Sequence, residues 1–136
     1  MQRIKKFVLS LTTLFFFFVC CSKEDVKPKE LSEVLIGRWE ITEAMDYFTY
    51  GDTLWHPILM PSITFRFEEK GTVTFDYGSV EESGDFSTIK NDTIVLGPPF
   101  RQKWIVLDFT ENTLAVSSGI DLREGQEIKS RFAKIQ

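Results

Sequence analysis

From residue 35 to the end of the chain, apolar and polar positions alternate with a period of two, the pattern of a half-buried β-strand. Trp39, Ile41 and Ala44 fall in a first strand, interleaved with Arg38, Glu40 and Glu43. Ile63, Phe65 and Phe67 alternate with Thr64 and Arg66. A turn at Glu68-Glu69-Lys70-Gly71 follows, with glycine where positive φ is wanted, and Val73, Phe75 and Tyr77 alternate back. A polar loop over 78–83 leads into a strand over 84–89, and Lys90-Asn91-Asp92 turns the chain into Thr93-Ile94-Val95-Leu96. Gly97-Pro98-Pro99 ends that strand, because proline donates nothing to a ladder. Further strands are read over 102–110, 113–118 and 126–135, with a turn at Glu111-Asn112 and a polar loop over 118–125. The pattern predicts about eight sequential strands and no helix.

Sequential strands joined by short turns pair with their neighbours by default. The fold class is therefore all-β, as a small antiparallel up-and-down β-barrel of about eight strands or as a two-sheet sandwich. Strand number alone does not separate the two. Eight strands closing on themselves leave an interior wide enough for side chains or one small ligand.

Residues 46–62 interrupt the alternation. This stretch is aromatic, is broken by Gly51, Pro57 and Pro61, and is too long for a tight hairpin. It reads as a long excursion with a short strand piece near 53–56. Tyr47, Phe48, Tyr50, Trp55, His56 and Met60 make it the place where an apolar pocket with a few polar groups could be built. The bland use of the same aromatics is to plug the barrel or pack on its outside.

The N-terminal residues change period and composition together. Met1 to Lys6 carries Arg3, Lys5 and Lys6, and an apolar run of thirteen residues follows to Val19. That run is shorter than the roughly 20 residues needed to span a bilayer, so it reads as an export signal over 1–20. Residues 21–34 are charged and hold Pro28, a composition that predicts a solvated tether. The barrel domain then spans 35–136. Beyond the leader, thirteen basic residues face twenty acidic ones, a net charge of −7. Nucleic acid is a poor partner for such a chain. Cys20 and Cys21 are the only cysteines, and adjacent cysteines at the end of a leader are not a disulfide framework. Stability must come from packing and strand pairing.

Cys20-Cys21-Ser22 resembles a lipoprotein signal, cut before a cysteine that has been acylated. Cys21 is the better candidate for lipidation because small Cys20 then precedes it, whereas modification at Cys20 would place β-branched Val19 there. The resemblance implies two or three acyl chains, a firm membrane anchor at about 0.8 kcal/mol per buried methylene. Lys23-Glu24-Asp25 resembles the surface-export signal of Bacteroidetes lipoproteins, which implies an outer-membrane, outward-facing location. Across the mature chain, Leu35 to Thr42, Ile63 to Phe67, Lys70 to Phe75, Gly84 to Phe86, Asn91 to Leu96 and Leu107 to Leu114 resemble, in order and spacing, a lipocalin-like lipoprotein of the Bacteroidetes type. In lipocalins the tryptophan of Gly-x-Trp closes the barrel base beneath an arginine of the last strand. The resemblance thus gives Gly37, Trp39 and Arg131 a structural role at the base, with Arg123 as the fallback arginine, and makes the 46–62 stretch a lid at the open mouth.

No pattern of catalysis accompanies this. His56 is the single histidine, and Asp46 and Asp52 are merely near it in sequence, which is no ligand set for a metal or a base. Glu68-Glu69 and Glu81-Glu82 are not read as catalytic pairs, because adjacent strand residues point to opposite faces and both pairs are read at turns, on a solvated surface. Nucleophile elbows, phosphate loops and Cys/His arrangements are missing. The expectation is a non-enzymatic, membrane-anchored protein without cofactor or metal. It would bind a small hydrophobic or amphipathic ligand or, with a filled barrel, serve as a protein-interaction module.

Overall fold

The computed structural model describes residues 27–46, 51–59, 62–119 and 127–136. A short helix α1 (Leu31–Leu35) precedes nine strands: β1 (Gly37–Met45), β2 (His56–Pro57), β3 (Ile63–Glu68), β4 (Thr72–Tyr77), β5 (Val80–Ile89), β6 (Thr93–Leu96), β7 (Gln102–Phe109), β8 (Thr113–Gly119) and β9 (Glu127–Ile135). All pairings are antiparallel, and each strand from β3 to β8 pairs with the next. β1 pairs with β3 along one edge and with β9 along the other, which closes an eight-stranded up-and-down barrel. The sandwich alternative is excluded by that closure. β2 is a ninth, two-residue strand beside the second half of β1, with Glu43 opposite Pro57 and Ala44 opposite His56.

The strands follow the alternation closely, with one extension. The expected loop over 78–83 is mostly strand, because Gly78-Ser79 alone turns the chain between Tyr77 and Val80. Gly78 supplies φ +64° at the first turn position, as a type II′ hairpin requires. β5 is long because it serves two neighbours: residues 80–85 pair with β4 and 86–89 with β6. Where it changes partner, residues 97–100 fold back onto it. A Cβ at Gly84 would fall on the Pro98 carbonyl oxygen and lie 3.1 Å from the Phe100 ring. Gly84→Ala must therefore move backbone, and a loss of about 1–3 kcal/mol is expected, the usual range for overpacking. Urea unfolding checks this as a lowered midpoint at unchanged m.

Aromatic side chains fill the bore. Phe65 of β3 meets Trp104 of β7 edge-on at 5.0 Å and Phe132 of β9 at 6.0 Å, while Trp104 stacks on Phe132 at 5.5 Å. Contacts between rings from β3, β7 and β9 can exist only across the barrel axis, so at this level side chains occupy the interior. Phe67 and Phe86 make a second edge-on pair at 5.0 Å nearer the start of β1. Trp39, Val73, Ile94, Leu96, Leu114 and Val116 complete the buried core.

Candidate functional site

The two ends of the barrel differ, and the difference begins with α1. Leu31, Val34 and Leu35 lie on one helical face at i, i+3 and i+4, and all three are buried. They stopper the end where β1 starts. Asn91, from the β5–β6 turn, accepts a hydrogen bond from the Leu31 N–H at 2.9 Å. At the other helix end, Trp39 Nε1 donates to the Leu35 carbonyl at 2.7 Å and Lys134 Nζ donates to the Val34 carbonyl at 2.8 Å. These bonds satisfy carbonyls that a helix end otherwise leaves unpaired. Lys29, paired with Glu111 of the β7–β8 turn at 2.8 Å, holds the entering chain against the same end. Residues 31–34 are thus part of the folded domain, although their charged surroundings read as tether. The apolar triad is what carries them into the core.

Trp39 is fully buried at this end, and Arg131 does not cover it. Strand register decides the matter: Lys134 is the residue opposite Trp39, and Arg131 stands opposite Glu43 on the outer face. Lys134 Nζ lies 5.2 Å from the Trp39 ring centroid. Its pKa is lowered by burial, reinforced by the charge of Lys29 and opposed by Glu111. Gly37 makes the arrangement possible. Its φ is +131°, and a Cβ there would come within 2.6 Å of Lys134 Cε. Arg123, the alternative arginine, lies outside the described residues.

At the opposite rim end β1, β4, β6 and β8, and there begin β3, β5, β7 and β9. Inward-facing Phe75 and Tyr77 stand parallel, 6.4 Å apart with 2° between their planes. Phe100 meets Phe75 edge-on at 6.3 Å, and Ile63 lies opposite Tyr77 in the β3–β4 ladder. Tyr77 is 42% exposed and Val80 47%, in contrast to the fully buried Trp39. Beneath them Trp104 forms the floor, its Nε1 donating to Gln102 Oε1 at 2.9 Å. Among the described residues the rim is thus a shallow apolar seat with one amide and one phenol. Alternation makes Phe75 and Tyr77 legible as inward residues, but no motif in the sequence marks them as part of a site. Phe100, after two prolines, carries no periodic signal.

The aromatic excursion lies elsewhere than expected, as far as it is described. The Trp55 ring stacks on the guanidinium of Arg131 at 3.9 Å, on the outside of β1 and β9 rather than over the bore. His56 sits in β2, and its Nε2 is 2.7 Å from Asp52 Oδ1. Tyr47, Phe48, Tyr50, Met60, Cys20 and Cys21 lie outside the described residues. The hydrogen bond from His56, aided by the Leu54 N–H, holds the Asp52 carboxyl below its ordinary 3.8. Glu111 is likewise held below 4.5 by its hydrogen bond from Lys29, and Glu127 by that from Ser117. Carboxyls with lowered folded-state pKa stabilise above their unfolded values and lose that contribution as pH falls through the folded ones. The melting temperature is therefore expected to fall as pH drops through and below about 4.5, and less steeply in Asp52→Asn and Glu111→Gln; melts between pH 3 and 7 check this.

Among the described residues, no three His, Cys, Asp or Glu side chains converge as a metal site would need, and no helix is long and apolar enough to cross a membrane. No family model and no curated protein matches the chain. Among solved structures it is similar to a redesigned β-barrel, with 8% sequence identity, a TM-score of 0.46, and coverage of 81% of this chain and all of that one. So distant a likeness carries no functional argument, and the barrel rests on its own strand pairing.

Proposed function

We propose that this chain is a lipid-anchored, lipocalin-like barrel of the outer membrane that binds a small hydrophobic or amphipathic molecule at its rim and catalyses nothing. One observation supports it above the others: the inward aromatics Phe75, Tyr77 and Phe100 stay partly uncovered at the end opposite the α1 stopper. The bore below them is occupied, so the ligand lies shallow, its apolar part on the rings and a polar end near Gln102 or the Tyr77 hydroxyl. Titration of the detergent-solubilised full chain with fatty acids, bile acids and haem tests this through tryptophan fluorescence, since Trp104 is the floor. Saturable change is the expected result; none across the panel overturns the reading. Tyr77→Ser should weaken binding about tenfold, which corresponds to about 1.4 kcal/mol, with stability little altered because the ring is half-exposed.

The anchor is separately testable. Cys21→Ala is expected to move the protein from the membrane to the soluble fraction, and unchanged retention sinks acylation at that residue. The filled bore also favours a second reading, an interaction module. Ile89, Ile105 and Leu107, between 42% and 51% exposed, are then the contact surface. A partner that co-purifies with the wild type but not with Ile105→Lys would favour it.

A further inference from the structure

Both β1 and β7 carry a bulge, and the two bulges act alike. In β1 the register slips between Ile41 and Glu43, and in β7 between Val106 and Asp108. An extra residue in a strand reverses the inside–outside order beyond it. Ile41 and Val106 pack on the core, so simple alternation would aim Glu43 and Asp108 inward. The bulges turn both carboxylates out.

They then stand in one cross-strand row. Glu43 is opposite Arg131, Arg131 opposite Ala115, and Ala115 opposite Asp108. Arg131 Nη1 donates to Glu43 Oε2 at 2.7 Å, and its guanidinium plane is fixed against Trp55. A guanidinium has five N–H donors, so most remain for another acceptor. Asp108 has no hydrogen-bond or ion-pair partner among the described residues. Between the two lies a side chain no larger than a methyl group, with Ala133 and Thr113 in the neighbouring row. The result is a slot of about 350 Å³ on the outer wall, within the size range of small-molecule sites.

Adjacent strands are about 4.8 Å apart, so the Arg131 and Asp108 backbones are separated by roughly 10 Å. A compact molecule with a cation at one end and an anion at the other fits that interval, with a charge-assisted hydrogen bond of about 2.8 Å at each side. We propose that the slot binds a free α-amino acid, its carboxylate on Arg131 and its ammonium on Asp108, with its side chain over Ala115 and Ala133. This site is separate from the rim and does not depend on what binds there.

Calorimetric titration of the detergent-solubilised full chain tests it, with the twenty amino acids and, as probes of each end, L-leucinamide and N-acetyl-L-leucine. Saturable binding of L-leucine is expected, at least tenfold weaker for either blocked derivative. Asp108→Asn should weaken L-leucine at least tenfold yet leave N-acetyl-L-leucine unchanged, which a general loss of structure would not do. Ala115→Leu should fill the slot and abolish binding at an unchanged melting temperature. The proposal is overturned if no amino acid binds saturably, if the blocked derivatives bind as well as L-leucine, or if Asp108→Asn binds like the wild type.

Discussion

Trp39→Ala is expected to destabilise the domain by about 3–5 kcal/mol, the cost of emptying a large aromatic site that collapses only in part. Trp39 is fully buried, and its indole also donates to the Leu35 carbonyl that ends α1. The variant thus loses packing and leaves a helix-end acceptor unpaired, a penalty of about 1–3 kcal/mol where water cannot reach it. A small domain has about 5–15 kcal/mol in all, so this one change removes a large share. Trp39→Phe keeps an aromatic ring in the site but removes the donor and part of the volume, so its stability should fall between those of the wild type and Trp39→Ala. Urea unfolding followed by near-ultraviolet circular dichroism checks both. A Trp39→Ala loss below about 1 kcal/mol would mean that α1 is held by the leucines alone.

How far these features could be read from the chain varies with their range. Strands and turns are legible because period two and Gly71 are local signals, and Gly78-Ser79 carries a local turn signal of the same kind. α1 was harder. Five residues are too few for a periodic signal, and Leu31, Val34 and Leu35 stand among charges that read as tether. The resemblance implies Arg131 over Trp39, whereas parity along β9 argues otherwise: if Phe132 packs inward, Lys134 does too and Arg131 does not. The rim was half legible, through Phe75 and Tyr77. The outer row of Glu43, Arg131, Ala115 and Asp108 was not legible at all. It depends on two bulges and three registers, which no single segment encodes.

The second large effect follows from the stopper. Leu31 and Leu35 are both fully buried, in a helix too short to be stable by itself. Its order therefore derives from the barrel, through the two leucines and the bonds from Asn91, Trp39 and Lys134. Leu31→Ala or Leu35→Ala should each cost about 2–5 kcal/mol. The double variant should cost less than the sum, because once one leucine is lost the helix is free to leave and the other contact goes with it. Amide exchange then distinguishes local from global loss. If α1 detaches as a unit, the amide hydrogens of residues 33 and 34 exchange quickly while β3, β4, β8 and β9 stay protected. Release also exposes Lys134, removing the burial that lowers its pKa, so its titration in the double variant should move up toward 10.5. Full unfolding in the single variants would instead make the stopper part of one cooperative unit. Rim binding that survives in a detached-helix variant would show that the two ends of the barrel act independently, as the packed aromatic layer between them requires.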